Sequence, residues 1–308
     1  RKGNESRSEN FRFPTYSILE NCYLCVMADN YLERKMEEHR AGNATAYRPK
    51  LTPSGKRQGE LTFKFPPRRV FVTGGASGIG KAVVKAFCDA GCKVAFCDND
   101  NTAGTRTAQS LGARFYPVDV TDVTALEACM QSLFDLWGDI DVVVNNVGIG
   151  NFKPLCETSV DDFDHVMQVN VRPVFVTSRK LAIYRASLPV ANPYGRIINI
   201  CSTRHAMSER GTEAYSASKG AIASLTHALM MSFAGTGVTV NAISPGWIET
   251  GDVAALSDAD HSQHPSGRVG VPADVARLCL WIALPGNDFV NGENITVDGG
   301  MTRKMIYV

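Results

Sequence analysis

From Arg68 onward, short apolar runs rich in β-branched and aromatic residues recur along the chain, and longer amphipathic stretches separate most of them. The runs are RRVFVTGG, KVAFCD, ARFYPVDV, DVVVNN, RIINICS, VTVNAISPG and NITVDGG. Each is the length of a strand, most are largely apolar, and most end in turn-forming residues. A strand that is apolar at every position is buried on both faces. Strands of that kind, alternating with helices, pack as a parallel sheet with helices on either side. The pattern therefore predicts an α/β fold: a single doubly wound domain over residues 68–308, built on a seven-stranded parallel sheet.

Residues 1–67 read differently. They are polar, rich in Arg, Lys, Glu and Asn, and broken by Pro14, Pro49, Pro53, Pro66 and Pro67. One helix is predicted over residues 29–40, with Tyr31, Leu32 and Met36 near one face. Residues 41–59 have the composition of a linker. The expectation is a partly disordered N-terminal arm. The stretch MADNYLERKMEEHR from Met27 resembles an ordinary N-terminus, so residues 1–26 read as a tag-like or upstream extension.

Charge and cysteine content narrow the class. The 308 residues carry a formal net charge of +1, which gives no electrostatic case for nucleic acid or an anionic membrane. No apolar run reaches the roughly 20 residues of a spanning helix, and the short stretch after Glu20 is too brief for a signal peptide. The nine cysteines are odd in number and mostly isolated in apolar segments, which reads as reduced core thiols in a cytoplasmic protein. Cys22 and Cys25 form a CxxC, but neither a second pair nor a strand–helix unit follows to make it a zinc or redox site. His261 and His264 lack acidic or thiol partners at ligand spacing, so no metal site is predicted.

The first strand runs into a glycine-rich turn, VFVTGGASGIGKAVVKAFCDAG, with glycines at 74, 75, 78 and 80. Glycine lets the chain turn sharply and approach a ligand, and the helix that follows offers free N–H groups to a pyrophosphate. The spacing is Gly74-x-x-x-Gly78-x-Gly80 rather than GxGxxG, and its place between a strand and an amphipathic helix is that expected of a dinucleotide-binding turn. Asp98 ends the second strand, where an acid can accept hydrogen bonds from the adenosine ribose hydroxyls and repel a 2′-phosphate. No base follows Asp98 directly, and Arg106 falls on the next helix, so NAD is the expected cofactor and NADP the lesser one.

The candidate chemistry lies in ERGTEAYSASKGAIA, residues 209–223. Tyr215 and Lys219 stand four residues apart, on one helix face. A free tyrosine titrates near about 10 and is a poor base at neutral pH. An ammonium beside it, together with the positive nicotinamide ring of a bound cofactor, is expected to favour phenolate and lower that value. Thr73–Gly80, Asn145-Asn146-Val147-Gly148, Ser202, Tyr215-x-x-x-Lys219 and Pro245-Gly246 follow one another in an order and spacing that resemble the short-chain dehydrogenase/reductase family, over roughly residues 68–300. The one departure is Val147, where the family usually has alanine.

The resemblance implies roles. Ser202, Tyr215 and Lys219 would be catalytic, with Asn170 holding a water linked to the lysine. The cofactor would lie against Gly74, Ser77, Gly78, Ile79, Gly80, Asp98, Asp119, Val120, Asn146, Val147, Gly148, Tyr215, Lys219, Pro245, Gly246, Ile248 and Thr250. Ser202, His205, Tyr215 and Trp247 would meet the substrate. The loops after Ser202 and after Gly246 carry Arg204, His205, Glu209, Arg210, Trp247, His261, His264 and Arg268. That polarity favours a sugar, polyol or hydroxy acid over a steroid or long acyl chain. A 3-oxoacyl thioester reductase is the alternative within the fold, and a dinucleotide-sensing scaffold without turnover is the alternative outside catalysis. The family resemblance, with small residues such as Ala217, Ala221 and Ser224 on one helix side, predicts a homotetramer, or failing that a dimer.

Overall fold

The structure, a computed structural model, describes residues 65–190 and 192–305. The expected helix at 29–40, the Cys22–Cys25 pair, residues 1–26 and the linker at 41–59 lie outside the described residues.

Seven strands form one parallel sheet in the order β3-β2-β1-β4-β5-β6-β7. They are β1 (Arg69–Thr73), β2 (Lys93–Asp98), β3 (Arg114–Pro117), β4 (Val142–Asn145), β5 (Gly195–Ile200), β6 (Val238–Pro245) and β7 (Asn294–Val297). Every apolar run of the sequence became a strand. The long helices are α1 (Gly78–Asp89), α2 (Asn101–Leu111), α3 (Val123–Trp137), α4 (Val160–Asn170), α5 (Arg172–Ala186), α6 (Glu213–Ser232) and α7 (Pro272–Ile282).

The period-two geometry of a strand divides each run between two cores. Val70, Val72, Val142, Val144 and Ile198 face one way, against Val83, Val84 and Phe87 of α1 and Val275 and Cys279 of α7. Phe71, Ala95, Val143, Ile197 and Val240 face the other, against α3, α5 and α6 through Leu126, Leu133, Leu181, Ile222 and Leu229. The central strands β1, β4, β5 and β6 are buried on both faces, while the edge strands β3 and β7 are partly exposed. Among the described residues, no helix is long and apolar enough to cross a membrane.

The sheet order reverses between β1 and β4. Connections leave the sheet on opposite sides there, and a crevice opens at the carboxyl ends of the strands. Buried amides brace this region from below. Asn145 donates to Asn199 at 2.9 Å and accepts from Thr177 at 2.7 Å, while Asn199 donates to Thr226 at 3.0 Å. These polar groups, on β4, β5, α5 and α6, pair with one another and so escape the cost of lone burial.

The helix starts differ in a telling way. Asp100 caps α2, Asp122 caps α3 and Ser159 caps α4, each accepting a first-turn backbone N–H. Ser77 precedes α1 and makes no such bond, and no acid sits in that first turn. Its backbone donors are thus left for something else.

Candidate active site

The crevice holds a cleft of about 490 Å³, the size range of small-ligand sites. The first turn makes one wall. Gly74 has φ +71°, and a Cβ there would stand 2.8 Å from Cγ2 of Val147. A Cβ on Gly80 would run into the Gly74 carbonyl oxygen and the Asn146 amide. The turn and helix α1 can meet only because both residues are glycine. Asn146 fastens this corner by donating to the carbonyls of Thr73 at 3.1 Å and Gly74 at 2.9 Å. Val147, the departure from the family pattern, packs its branched side chain where the turn comes closest.

Asp98 stands at the end of β2, half-buried on the cleft wall. One oxygen accepts from the backbone N–H of Ala76 at 3.0 Å and the other from that of Asp100 at 3.0 Å. The carboxylate therefore anchors the glycine turn as well as facing the cleft. Arg106 lies on α2, exposed, and does not line the cleft. Asp119 also lines the cleft, and its carboxyl is held below its ordinary range by the backbone N–H and hydroxyl of Thr121, each at 2.8 Å.

The far end of the cleft is set by β5 and α6. Ser202 follows β5 and lies 9 % exposed. Its Oγ accepts the backbone N–H of Arg204 at 3.2 Å, and the hydroxyl hydrogen-bonds the Tyr215 phenol. Tyr215 and Lys219 come from successive turns of α6. Lys219 is buried and its Nζ donates to the carbonyl of Ile200 at 3.0 Å. A Cβ on Gly148 would come within 3.2 Å of that Nζ, so the glycine keeps a channel open to the ammonium.

Burial pushes the Lys219 ammonium down to about 8. Burial also pushes the Tyr215 phenol up, and the neighbouring Ser202 hydroxyl and Arg204 guanidinium offset only part of that rise. The lowering expected of Tyr215 belongs to the site with a positive nicotinamide ring beside it, and burial acts against it in the protein alone. The ammonium lies 5.4 Å from the ring centre, and it spends a donor on the end of β5. Desolvation is the largest influence on the phenol.

All seventeen residues expected to meet the cofactor line this one cleft, and so does Ser202. Asn170, His205 and Trp247 do not. Asn170 is 1 % exposed and closes on Ile149 from both sides: Oδ1 accepts its N–H at 2.8 Å, and Nδ2 donates to its carbonyl at 2.9 Å. Nδ2 also donates to Ser218 at 2.9 Å, tying α4 to α6 behind Lys219. His205 turns its Nδ1 to the Ser202 carbonyl at 2.7 Å. Trp247 is half-buried, with its ring 6.2 Å from that of His264. His261 accepts the backbone N–H of Val269 at 3.1 Å.

Sequence reasoning missed part of the wall. Ile149, His165 and Val169 line the cleft, as do Asn99, Thr121 and Cys201. His165 and Val169 are one turn apart on α4, and that spacing was the available signal. Cys201 donates its thiol to the Lys219 carbonyl at 3.2 Å, joining β5 to α6 in a way no local pattern displays.

The cleft suits a dinucleotide on its own evidence. Uncapped donors at the start of α1 face the tight glycine turn, and a buried cation, with one of its three donors engaged, waits at the far end.

Residues 74–302 match a protein-family model described as Enoyl-(Acyl carrier protein) reductase. A 3-oxoacyl-[acyl-carrier-protein] reductase from Vibrio harveyi is 32% identical over 236 residues, covering 75% of this chain and 95% of the relative. The L-fucose dehydrogenase of Mus musculus is 35% identical over 249 residues, covering 77% of this chain and 89% of the relative. Among solved structures, an apo SCOR enzyme from Clostridium thermocellum superposes with a TM-score of 0.71 at 38% identity, covering 78% of this chain and 95% of the other.

Proposed function

The chain belongs to the short-chain dehydrogenase/reductase family of NAD(P)-dependent oxidoreductases, and we propose that it is an NAD(H)-linked enzyme interconverting a secondary alcohol and a ketone on a small polar substrate such as a sugar, polyol or hydroxy acid. The observation that carries the reading is the meeting of Ser202, Tyr215 and Lys219 at one end of a cleft whose other end is the glycine turn and Asp98. The first-turn N–H groups of α1 would hold the pyrophosphate and Asp98 the adenosine ribose; Lys219 would hold the nicotinamide ribose and Thr250 the carboxamide. The bound nicotinamide supplies the hydride chemistry.

The chain's own residues manage the proton. Ser202 hydrogen-bonds the substrate oxygen beside the phenol and orients it. Tyr215 passes a proton to that oxygen in reduction and takes it back in oxidation. Because burial raises the phenol in the protein alone, the proton resides on Tyr215 until positive charge arrives beside it. Lys219 keeps one ammonium hydrogen on Ile200 and has two left for the ribose.

The polar substrate draws support from Arg204, Glu209 and Arg210 after Ser202, and from the sugar dehydrogenase among the relatives. The acyl-carrier relative favours a second reading, a 3-oxoacyl thioester reductase using NADPH. Asp98 opposes it through charge. A panel of sugars, polyols and hydroxy acids with NAD⁺, followed at the nicotinamide absorbance, tests the first reading. Turnover confined to a 3-oxoacyl thioester with NADPH would replace it with the second.

A further inference from the structure

We propose that His205 is a positioning residue for Ser202, acting as an Nδ1–H donor that extends the sheet past its last backbone rung. The inference rests on Ser202 having the role proposed above.

The last hydrogen bond between β5 and β6 runs from the Cys201 N–H to the Ile243 carbonyl at 2.7 Å. Ser202, one residue further, has no strand partner to fix its backbone. The short helical turn Thr203–His205 brings a side chain back to supply one. The Ser202 carbonyl accepts twice from the same residue: from the His205 backbone N–H at 3.1 Å and from its Nδ1 at 2.7 Å. The Nδ1 also stands 3.2 Å from Oγ of Ser244, the first residue on β6 past that rung. Ser244 is wholly buried and donates its own hydrogen to Oδ1 of Asn294 on β7 at 2.7 Å. Asn294 in turn reaches the Cys201 sulfur at 3.9 Å. One imidazole nitrogen thus links Ser202, just past β5, to Ser244 near the end of β6, and Ser244 carries the connection on to Asn294 at the start of β7.

The chemistry fixes the tautomer. A carbonyl oxygen only accepts, so the nitrogen 2.7 Å from it carries a hydrogen. With the Ser244 hydrogen already spent on Asn294, its oxygen is free to accept the same Nδ1–H. In neutral His205 the proton is therefore on Nδ1 and the lone pair on Nε2. A hydroxyl that must meet both a phenol and a substrate oxygen tolerates little displacement, and misplacement by about 1 Å can cost on the order of a hundredfold in rate.

Three variants separate positioning from general support. His205→Asn keeps an N–H near the Nδ1 site, His205→Gln moves it outward, and His205→Leu removes it. With NAD⁺ and whichever alcohol of the panel turns over, His205→Asn should keep kcat within about threefold. His205→Leu and His205→Gln should lose about 10- to 100-fold in kcat, with KM for NAD⁺ nearly unchanged. Equal rates for all three variants, or an Asn variant as slow as the Leu variant, would overturn the proposal. Long-range ¹H–¹⁵N spectra of histidine-labelled protein, with the His205→Asn variant assigning the signals, should show a protonated Nδ1; an Nε2–H tautomer would also overturn it. If the wild type turns over none of the panel, the substrate reading fails, and the tautomer alone then decides this inference.

Discussion

The Lys219 ammonium stands 5.4 Å from the centre of the Tyr215 ring while donating to the Ile200 carbonyl at 3.0 Å. The two side chains share a face of α6 but point to different partners. Lysine is turned to the strand end and the cleft, and tyrosine is turned to Ser202. Their coupling is through the space the cofactor is proposed to fill.

Tyr215→Phe tests the proton step. The ring stays and the hydroxyl goes, so packing against Phe152, 5.7 Å away edge to face, is kept. We expect kcat to fall by at least about a hundredfold, as for loss of a general acid–base group. NADH binding, read by its fluorescence, should survive. A Phe variant turning over at the wild-type rate would remove Tyr215 from the mechanism.

Lys219→Met tests what the buried charge costs. The pKa of Lys219 falls from 10.5 to about 8, a difference on the order of 3 kcal/mol. In this pH window the unfolded chain binds the proton that the folded chain releases, so wild-type stability rises with pH. Below pH 8 the full penalty is present. The Met variant should therefore melt several degrees above the wild type at pH 7. That lead should shrink as pH climbs from 8 toward 10.5, and activity should be lost throughout. A variant less stable than the wild type at pH 7 would contradict the assignment.

Asp98 sets cofactor choice in the proposed reading, but it also accepts from Ala76 and Asp100. Asp98→Ala should narrow the preference for NAD(H), at a cost of about 1–3 kcal/mol for the donors left unmet. Asp98→Asn keeps an acceptor and should narrow the gap with less loss of stability. kcat/KM with both cofactors, paired with thermal melts, separates the effects. A wild type that uses NADP(H) as well as NAD(H) would sink the role.

Assembly is the last expectation. Val160 and Phe163 on α4, Phe175 and Ile183 on α5, and Met231 on α6 are exposed large apolar side chains. Such surface favours burial in a symmetric interface. Light scattering after size exclusion should give four copies of the 33.4 kDa chain, or two. Phe175→Glu with Ile183→Glu should shift the mass downward. A single-chain mass for the wild type would refute the idea.

The apolar runs determined the seven strands because their short length, their β-branched and aromatic residues and the turn residues that bound most of them favour strands over helices. The glycine turn was equally legible, since close approach of a helix to a turn demands residues without Cβ. Ser202, Tyr215 and Lys219 could be named in advance because their identities and order are local facts. Tertiary structure decided the rest. It turned the Lys219 ammonium onto the Ile200 carbonyl, and it buried the Tyr215 phenol, which raises its pKa in the protein alone. Asp98 gained a second duty because β2 ends under Ala76. The His205 ring meets the carbonyl of Ser202 and the hydroxyl of Ser244, and Ser244 and Asn294 come from strands 39 and 89 residues further along the chain (244 − 205 and 294 − 205). A helix or strand repeat registers neighbours three, four or two residues away, and contacts between strand ends leave no such period in the sequence.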